Sequence, residues 1–274
     1  MQVEPKKEGL IVYSQFHELF QDKVGGIVFS CFDAWHFIYM AIIFASIIAA
    51  VCILRNKSER AKQRAVNIAI SIAFGLYMFD FFAMPLAYGA VDVDKLPFHA
   101  CTSMCIMSFW SRHNKFLSRF KTQFTLIGLV SSLIYVVYPA GVMWYSIHPL
   151  SYRAWQTILF HGAMVVYGVL ALAFGDVKLE WKKCYKDLGV LLVLTAWALL
   201  GNAIYSGEWP SGQVSYNWFF VKMDPFGLLP ADIAPYLAPV VSVVALFAAN
   251  MAIYAIYFGI KKLCGKKADA RASE

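Results

Sequence analysis

The stretch Phe37-Ile-Tyr-Met-Ala-Ile-Ile-Phe-Ala-Ser-Ile-Ile-Ala-Ala-Val-Cys-Ile-Leu54 decides the fold. It runs 18 residues without a charge, and Arg55 follows at once. A helix needs about 20 apolar residues to cross the ~30 Å hydrocarbon core of a bilayer. The run therefore reads as a transmembrane helix, with room to begin as early as Ile27. The rest of the chain agrees with it. Hydrophobic residues make up 60% of the 274 and charged residues 15%, against roughly 45–50% and about 25% in an average soluble domain.

Moving outward, further apolar runs span Ala65–Tyr88, Pro97–Trp110, Phe124–Trp144, Ala154–Phe174, Leu188–Tyr205 and Ala234–Ile260. The expectation is an all-α, polytopic bundle of seven transmembrane helices over residues 34–263. Because Pro97–Trp110 is short, six spans plus a re-entrant segment is the alternative. Residues 1–33 form an external segment in which Leu10–Asp22, mixing Ile11, Phe16, Leu19 and Phe20 with Glu18 and Asp22, suits an interfacial helix. Residues 264–274 form a basic cytoplasmic tail. Met1–Gly9 carries Glu4, Lys6, Lys7 and Glu8 with no apolar core behind them, so no cleavable signal peptide is expected. The six cysteines fall mostly in or beside apolar runs. They read as small packed thiols, not as a disulfide framework or a zinc site.

Charge placement gives an independent test. Lys and Arg gather in cytoplasmic loops. With seven spans, 18 of the 24 basic residues fall on one side. That side holds Arg55 to Arg64, Arg112 to Lys121, Lys178 to Lys186 and Lys261 to Arg271. The expected topology in the cell membrane is thus N-terminus outside and C-terminus inside, with Pro97–Trp110 counted as crossing. The net charge of +7 calls for phospholipid headgroups as partners and for no nucleic acid.

Ionisable and polar groups inside spans are costly, and each is a functional candidate. His99, Cys101, Thr102, Ser103 and Cys105 lie at or near the start of the third run, His161 two turns into the fifth, Asp80 in the outer half of the second and Asn202 near the outer end of the sixth. On that topology His99, His161, Asp80 and Asn202 come to one depth. Tyr216, Asn217 and Asp224 lie in the external loop beyond. The bland alternatives stand beside this. His36, next to Asp33 and Trp35, suits a headgroup-level hydrogen bond, and His113 and His148 lie in loops. Asp80 could pair with a tyrosine or an external lysine, and Asn202 could glue helices together.

The order Leu96-Pro97-Phe98-His99-Ala100-Cys101, then Gly128, Leu133 and Pro139, then Tyr152-Arg153-Ala154-Trp155-Gln156 leading to Phe160-His161-Gly162, then Asn202 and Tyr216-Asn217-Trp218-Phe219-Phe220, resembles the bacterial YwaF-type family of integral membrane proteins. The likeness covers most of the chain from the second run onward, and the stretch between Asn202 and Tyr216 is longer than that family's link. The resemblance implies a chemistry. Eukaryotic relatives resemble membrane acyltransferases acting on ether phospholipids through a cysteine and a histidine. More distant relatives look like threonine–histidine lipid hydrolases. His99 and His161 match the family's histidines, whereas the position of the relatives' cysteine is Phe98 here.

On a regular helix, at ~100° per residue, His99 and Cys101 point to opposite sides while Thr102 and Ser103 share the face of His99. Proline suits a first helical position, which favours a helix starting at Pro97. Only an extended Pro97–Ala100 would let His99 and Cys101 converge. The nucleophile is then Cys101, or Thr102 or Ser103, or all three are packing residues. Three functions remain. The first is a lipid-modifying enzyme, for acyl transfer or acyl-lipid hydrolysis, in which a histidine activates a thiol or hydroxyl and Asp80, Asn202, Tyr216 and Asn217 bind substrate. The second is a proton-coupled transporter of a small solute, disfavoured by the lack of charge in the inner halves of the spans. The third is a metal-binding membrane protein using His99, His161 and a cysteine or Asp80. No short-range ligand spacing supports a metal, and no cofactor is called for. A retinal protein is disfavoured because the last run has no lysine before Lys261.

Overall fold

A computed structural model describes residues 26–88, 93–143, 146–205, 217–222, 229–230 and 232–272. The interfacial segment expected at Leu10–Asp22, and the candidates Tyr216 and Asp224, lie outside the described residues. The chain is an all-helical membrane protein. Among the described residues, seven helices of more than ten residues carry it: α1 (Ala34–Leu54), α2 (Glu59–Tyr88), α3 (Ala100–Trp110), α4 (Lys121–Val137), α5 (Tyr152–Ala173), α6 (Tyr185–Ile204) and α7 (Ala234–Ala272). Among the described residues, six of them are long and apolar enough to cross a membrane. The exception is α3, whose 11 residues rise only about 16 Å at ~1.5 Å each. Large apolar side chains such as Phe37, Ile42, Ile48, Phe82, Val193 and Val244 stand exposed on the long helices. Lipid, not water, is the solvent that accepts them.

The helix boundaries depart from the hydropathy runs where side chains overrule them. α3 begins at Ala100 and not at Pro97, because His99 is extended (φ −79, ψ 151) and serves as the N-cap. α4 ends at Val137, ahead of Pro139, as the residue before a proline is pushed off the helical region. A single turn at Ala140–Met143 follows. α6 begins at Tyr185, one turn before the apolar run, and so takes Asp187 into the helix.

Two compact units make up the chain, one of Met1–Pro97 with Ser131–Asp176, the other of Phe98–Val130 with Val177–Glu274. In the first, α5 is the hub, and α1 and α2 pack on it. Of its membrane-crossing window 61% is buried, against 11% for α1. Contact between α1 and α5 is close because Gly162 has no side chain: a Cβ there would meet Ile43 Cγ1 at 2.7 Å. Asp33 caps α1, its Oδ1 accepting from the His36 N–H at 2.7 Å and its Oδ2 from the Ser30 N–H at 2.8 Å. His36 is a buried tie and not a headgroup contact. Its Nε2 lies 2.8 Å from the Val136 carbonyl, and its Nδ1 accepts from the Phe32 N–H at 2.9 Å.

In the second unit α6 packs on α7, and both hold a short 3-10 turn at Trp218–Phe220. Its core joins Ala100 and Met104 of α3, Phe124 and Ile127 of α4, Leu191, Leu194 and Ala198 of α6, Phe219 and Val221 of the turn, and Val243 of α7.

Candidate functional site

The most constrained backbone in the second unit is the strap Asn217–Lys222. Phe219 (φ 56) and Phe220 (φ 53) both sit in the left-handed region, which bulky residues seldom enter. Each such residue costs of order 1–3 kcal/mol and persists only where the surroundings over-determine it. The surroundings do so here. Asn202 grips Trp218 with both ends of its amide: Nδ2 donates to the Trp218 carbonyl at 3.1 Å and Oδ1 accepts the Trp218 N–H at 3.2 Å. A second Nδ2 bond reaches the Ala198 carbonyl at 2.7 Å. Asn217 Oδ1 accepts the Lys222 N–H at 2.9 Å, and Ser242 Oγ of α7 donates to the Phe220 carbonyl at 3.2 Å. Burial lowers the Lys222 ammonium below the usual lysine range.

The strap reaches α3 through His99. The Phe219 N–H donates to His99 Nδ1 at 3.3 Å. A neutral imidazole that accepts at Nδ1 carries its proton on Nε2, so His99 is set as a donor at that nitrogen. Its backbone carbonyl accepts from the Ser103 N–H at 3.0 Å and from Thr102 Oγ1 at 3.1 Å. The histidine is thereby fixed from both sides, at a helix start it caps without a side-chain bond of its own.

Phe98, where the acyltransferase-like pattern has cysteine, is a packing residue. It is buried and lies 4.8 Å from the Trp197 ring and 4.9 Å from the Trp218 ring, centre to centre. Its edge fills the space over Gly201, where a Cβ would meet Phe98 Cδ1 at 2.5 Å. Gly201 and Asn202 are neighbours, so one turn of α6 accepts the aromatic wedge and clamps the strap.

A model of the TMEM164 family matches residues 31–257. The chain belongs to the TMEM164 family. The match runs from the entry to α1 through most of α7 and takes in both histidines and the strap. TMEM164 is a family of membrane proteins. No curated protein and no solved structure matches the chain.

The remaining candidates of this TMEM164 protein divide between the units. Asp80 and His161 belong to the first, and His99, Cys101, Thr102, Ser103, Asn202 and Asn217 to the second. Asp80 is buried at 2% exposure and pairs with Lys95 Nζ at 2.9 Å. Tyr77 ties the same lysine from behind, its hydroxyl donating to the Lys95 carbonyl at 2.8 Å. His161 is buried, stacks on Tyr135 at 3.8 Å between ring centres, and places Nδ1 2.7 Å from the Thr157 carbonyl. A carbonyl only accepts, so Nδ1 bears the hydrogen there. The two histidines therefore use Nδ1 in opposite senses, His99 accepting and His161 donating.

Within α3, Thr102 and Ser103 are buried and Cys101 is half-buried. Since His99 precedes the helix, the 100° rule that set it opposite Cys101 does not govern the pair. Among the described residues, Cys31, Cys52, Cys101, Cys105 and Cys184 are not joined in disulfides. Among the described residues, no group of three or more His, Cys, Asp or Glu side chains could hold a metal ion, and Asp80 is taken by Lys95.

Asp187 was missed in the sequence because the apolar run was started at Leu188. The signal was present: Asp187, Leu191, Leu194, Ala198, Gly201 and Asn202 recur at helical spacing, and all are buried on α6.

Proposed function

We propose that this protein is a membrane-embedded lipid-modifying enzyme, transferring or hydrolysing phospholipid acyl groups, with His99 at its catalytic centre. One observation carries the reading: a histidine at the buried start of α3 is held by a strained strap that three elements keep in place. Strain of this kind clusters at functional sites, where it serves pre-organisation. As a fixed Nε2–H donor, His99 suits hydrogen bonding to an ester carbonyl whose oxygen becomes negative as the acyl carbon is attacked. The nucleophile comes from the first turn beyond it: Cys101, or one of the hydroxyls of Thr102 and Ser103. Attack forms the bond from sulfur or oxygen to the acyl carbon, and collapse breaks the ester C–O bond. The proton lost by the nucleophile passes to a base and on to the leaving lipid oxygen. An alcohol or water then takes the acyl group. His161 lies in the other unit, and its own variant tests whether it takes any part. Asn202 and Asn217 act by holding the strap. The likeness to YwaF-type proteins points the same way, and so does a chain whose described surface is largely apolar. The orientation that goes with this reading has the N-terminus outside and the C-terminus in the cytoplasm, and the distribution of basic residues supports it.

The test is phospholipid turnover by purified protein in nanodiscs, with and without chelator. His99→Ala should lower turnover about 100- to 1000-fold, the usual effect of removing one oxyanion donor. Cys101→Ala, Thr102→Ala and Ser103→Ala identify the nucleophile by which of them is severe. Retained turnover in both His99→Ala and His161→Ala ends this reading. Transport then leads, a reading favoured by the carboxylate of Asp187 buried inside a span.

A further inference from the structure

The strap that holds His99 carries a cation that the reading above does not use. Lys222 ends the segment, follows the buried Val221 and is itself half-buried. Its backbone is fixed, because its N–H donates to Asn217 Oδ1 at 2.9 Å. Its ammonium pairs with no carboxylate among the described residues. Lys95, also largely withdrawn from solvent, is by contrast neutralised by Asp80 at 2.9 Å. Within the second unit the other described basic residues lie at the far ends of the helices. Those of 112–121 join α3 to α4, those of 178–186 lie before or at the start of α6, and those of 261–271 end α7. His99 and the strap sit where α3 begins and α6 finishes.

A buried charge is ordinarily paired, and a lysine stem is long enough to carry an unpaired ammonium out to water. Lys222 stays half-withdrawn with no partner among the described residues, and the lost hydration lowers its ammonium below the usual lysine range. Such a group suits an anion that the protein does not itself supply. The Phe219 N–H donates to His99 Nδ1 at 3.3 Å. Lys222 follows three residues later, so the Phe219 and Lys222 nitrogens lie within about 11 Å of each other. A glycerophospholipid carries its phosphate a few bonds from its ester carbonyls. The imidazole can therefore meet a carbonyl while the lysine meets the phosphate as a point charge.

We infer that Lys222 binds the phosphodiester of the lipid whose ester His99 addresses, and thereby selects glycerolipids with an anionic phosphate over uncharged ones. The inference rests on the enzymatic reading above and adds to it the residue that recognises the headgroup. Arginine in its place keeps the charge, and methionine keeps only an apolar stem.

The test compares a glycerolipid bearing a methyl phosphodiester headgroup with its uncharged dimethyl phosphotriester, on the purified full chain in neutral detergent micelles. Diether forms, which have no ester to cleave, measure binding by native mass spectrometry, and diacyl forms measure turnover as kcat/KM. The wild type should hold and turn over the phosphodiester lipid about 10- to 100-fold better than the triester, the effect of one hydrogen bond to a charged group. Lys222→Met should erase that preference, and Lys222→Arg should keep most of it. Equal binding of the two lipids by the wild type, a comparison that needs no variant, overturns the inference. A preference that survives in Lys222→Met overturns it too, and so does an equal loss of both lipids there, the mark of a merely structural lysine. Displacement of the phosphodiester lipid by excess inorganic phosphate would make free phosphate the ligand and overturn the lipid assignment. Turnover without preference ends the inference and leaves the enzymatic reading standing. Lys222-dependent binding without wild-type turnover ends that reading and leaves Lys222 as a contact to lipid phosphate.

Discussion

Replacing Asn202 by alanine separates a clamp from a substrate ligand. The amide makes two bonds to the Trp218 backbone, at 3.1 and 3.2 Å, and Trp218 is fully buried. Alanine leaves the Trp218 N–H and carbonyl without those partners. A buried group left unsatisfied costs about 1–3 kcal/mol, so the pair costs about 2–6 kcal/mol. Phe219 and Phe220, at φ 56 and 53, hold back a comparable sum, since each can recover about 1–3 kcal/mol by leaving the left-handed region. The two terms act together, and the strap should open locally before the helices unfold. At ~1.4 kcal/mol per factor of ten, the loss corresponds to roughly 30- to 20,000-fold faster hydrogen exchange at the strap amides. Exchange read by mass spectrometry on the 217–222 segment, alongside thermal unfolding, measures it. Exchange in α1 and α5 should not change. If the strap exchanges as in the wild type while substrate affinity alone falls, the clamp reasoning is wrong and Asn202 is a ligand-contacting residue.

Gly201→Ala should destabilise the protein by about 1–3 kcal/mol, the cost of overpacking, because its Cβ would lie 2.5 Å from Phe98 Cδ1. Adding Phe98→Leu should recover part of the loss, and additive effects in a double-mutant cycle would refute the contact. Lys95→Met should cost about 3–5 kcal/mol, as expected when one partner of a buried ion pair is removed. Lys95→Met with Asp80→Leu should be milder, and a double variant worse than the single would show that the pair is not the stabilising unit. A reporter fused after Lys267 should read cytoplasm, and one inserted between Asp92 and Lys95 should read exterior. Both on one side would overturn the orientation.

Much of the fold was legible because a bilayer imposes length and polarity on a helix directly. Among the described residues each apolar run carries a helix, and the short run Pro97–Trp110 was recognisable as the odd one. The errors fell at helix ends, where local hydrogen bonds outrank hydropathy. His99 left the helix because the Phe219 N–H holds its ring, a partner 120 positions away in sequence. Asp187 falls just ahead of the apolar run Leu188–Tyr205, although its spacing to Leu191 and Leu194 places it on the buried stripe of α6. His36 suggested a headgroup contact because its partner, the Val136 carbonyl, lies 100 residues further on.

The sequence by itself determined that the chain belongs in a membrane, that it is built of apolar helices and which residues are costly there. All of these follow from composition and from periods of a few residues. Tertiary structure alone decided the use of each polar group. Asn202 became a backbone clamp, Asp80 an ion-pair partner of Lys95, and His99 an acceptor at Nδ1 where His161 is a donor. A hydrogen bond is directional and acts over about 3 Å. Its partner is therefore chosen by which distant segment packing brings within that reach, and no local pattern encodes that choice.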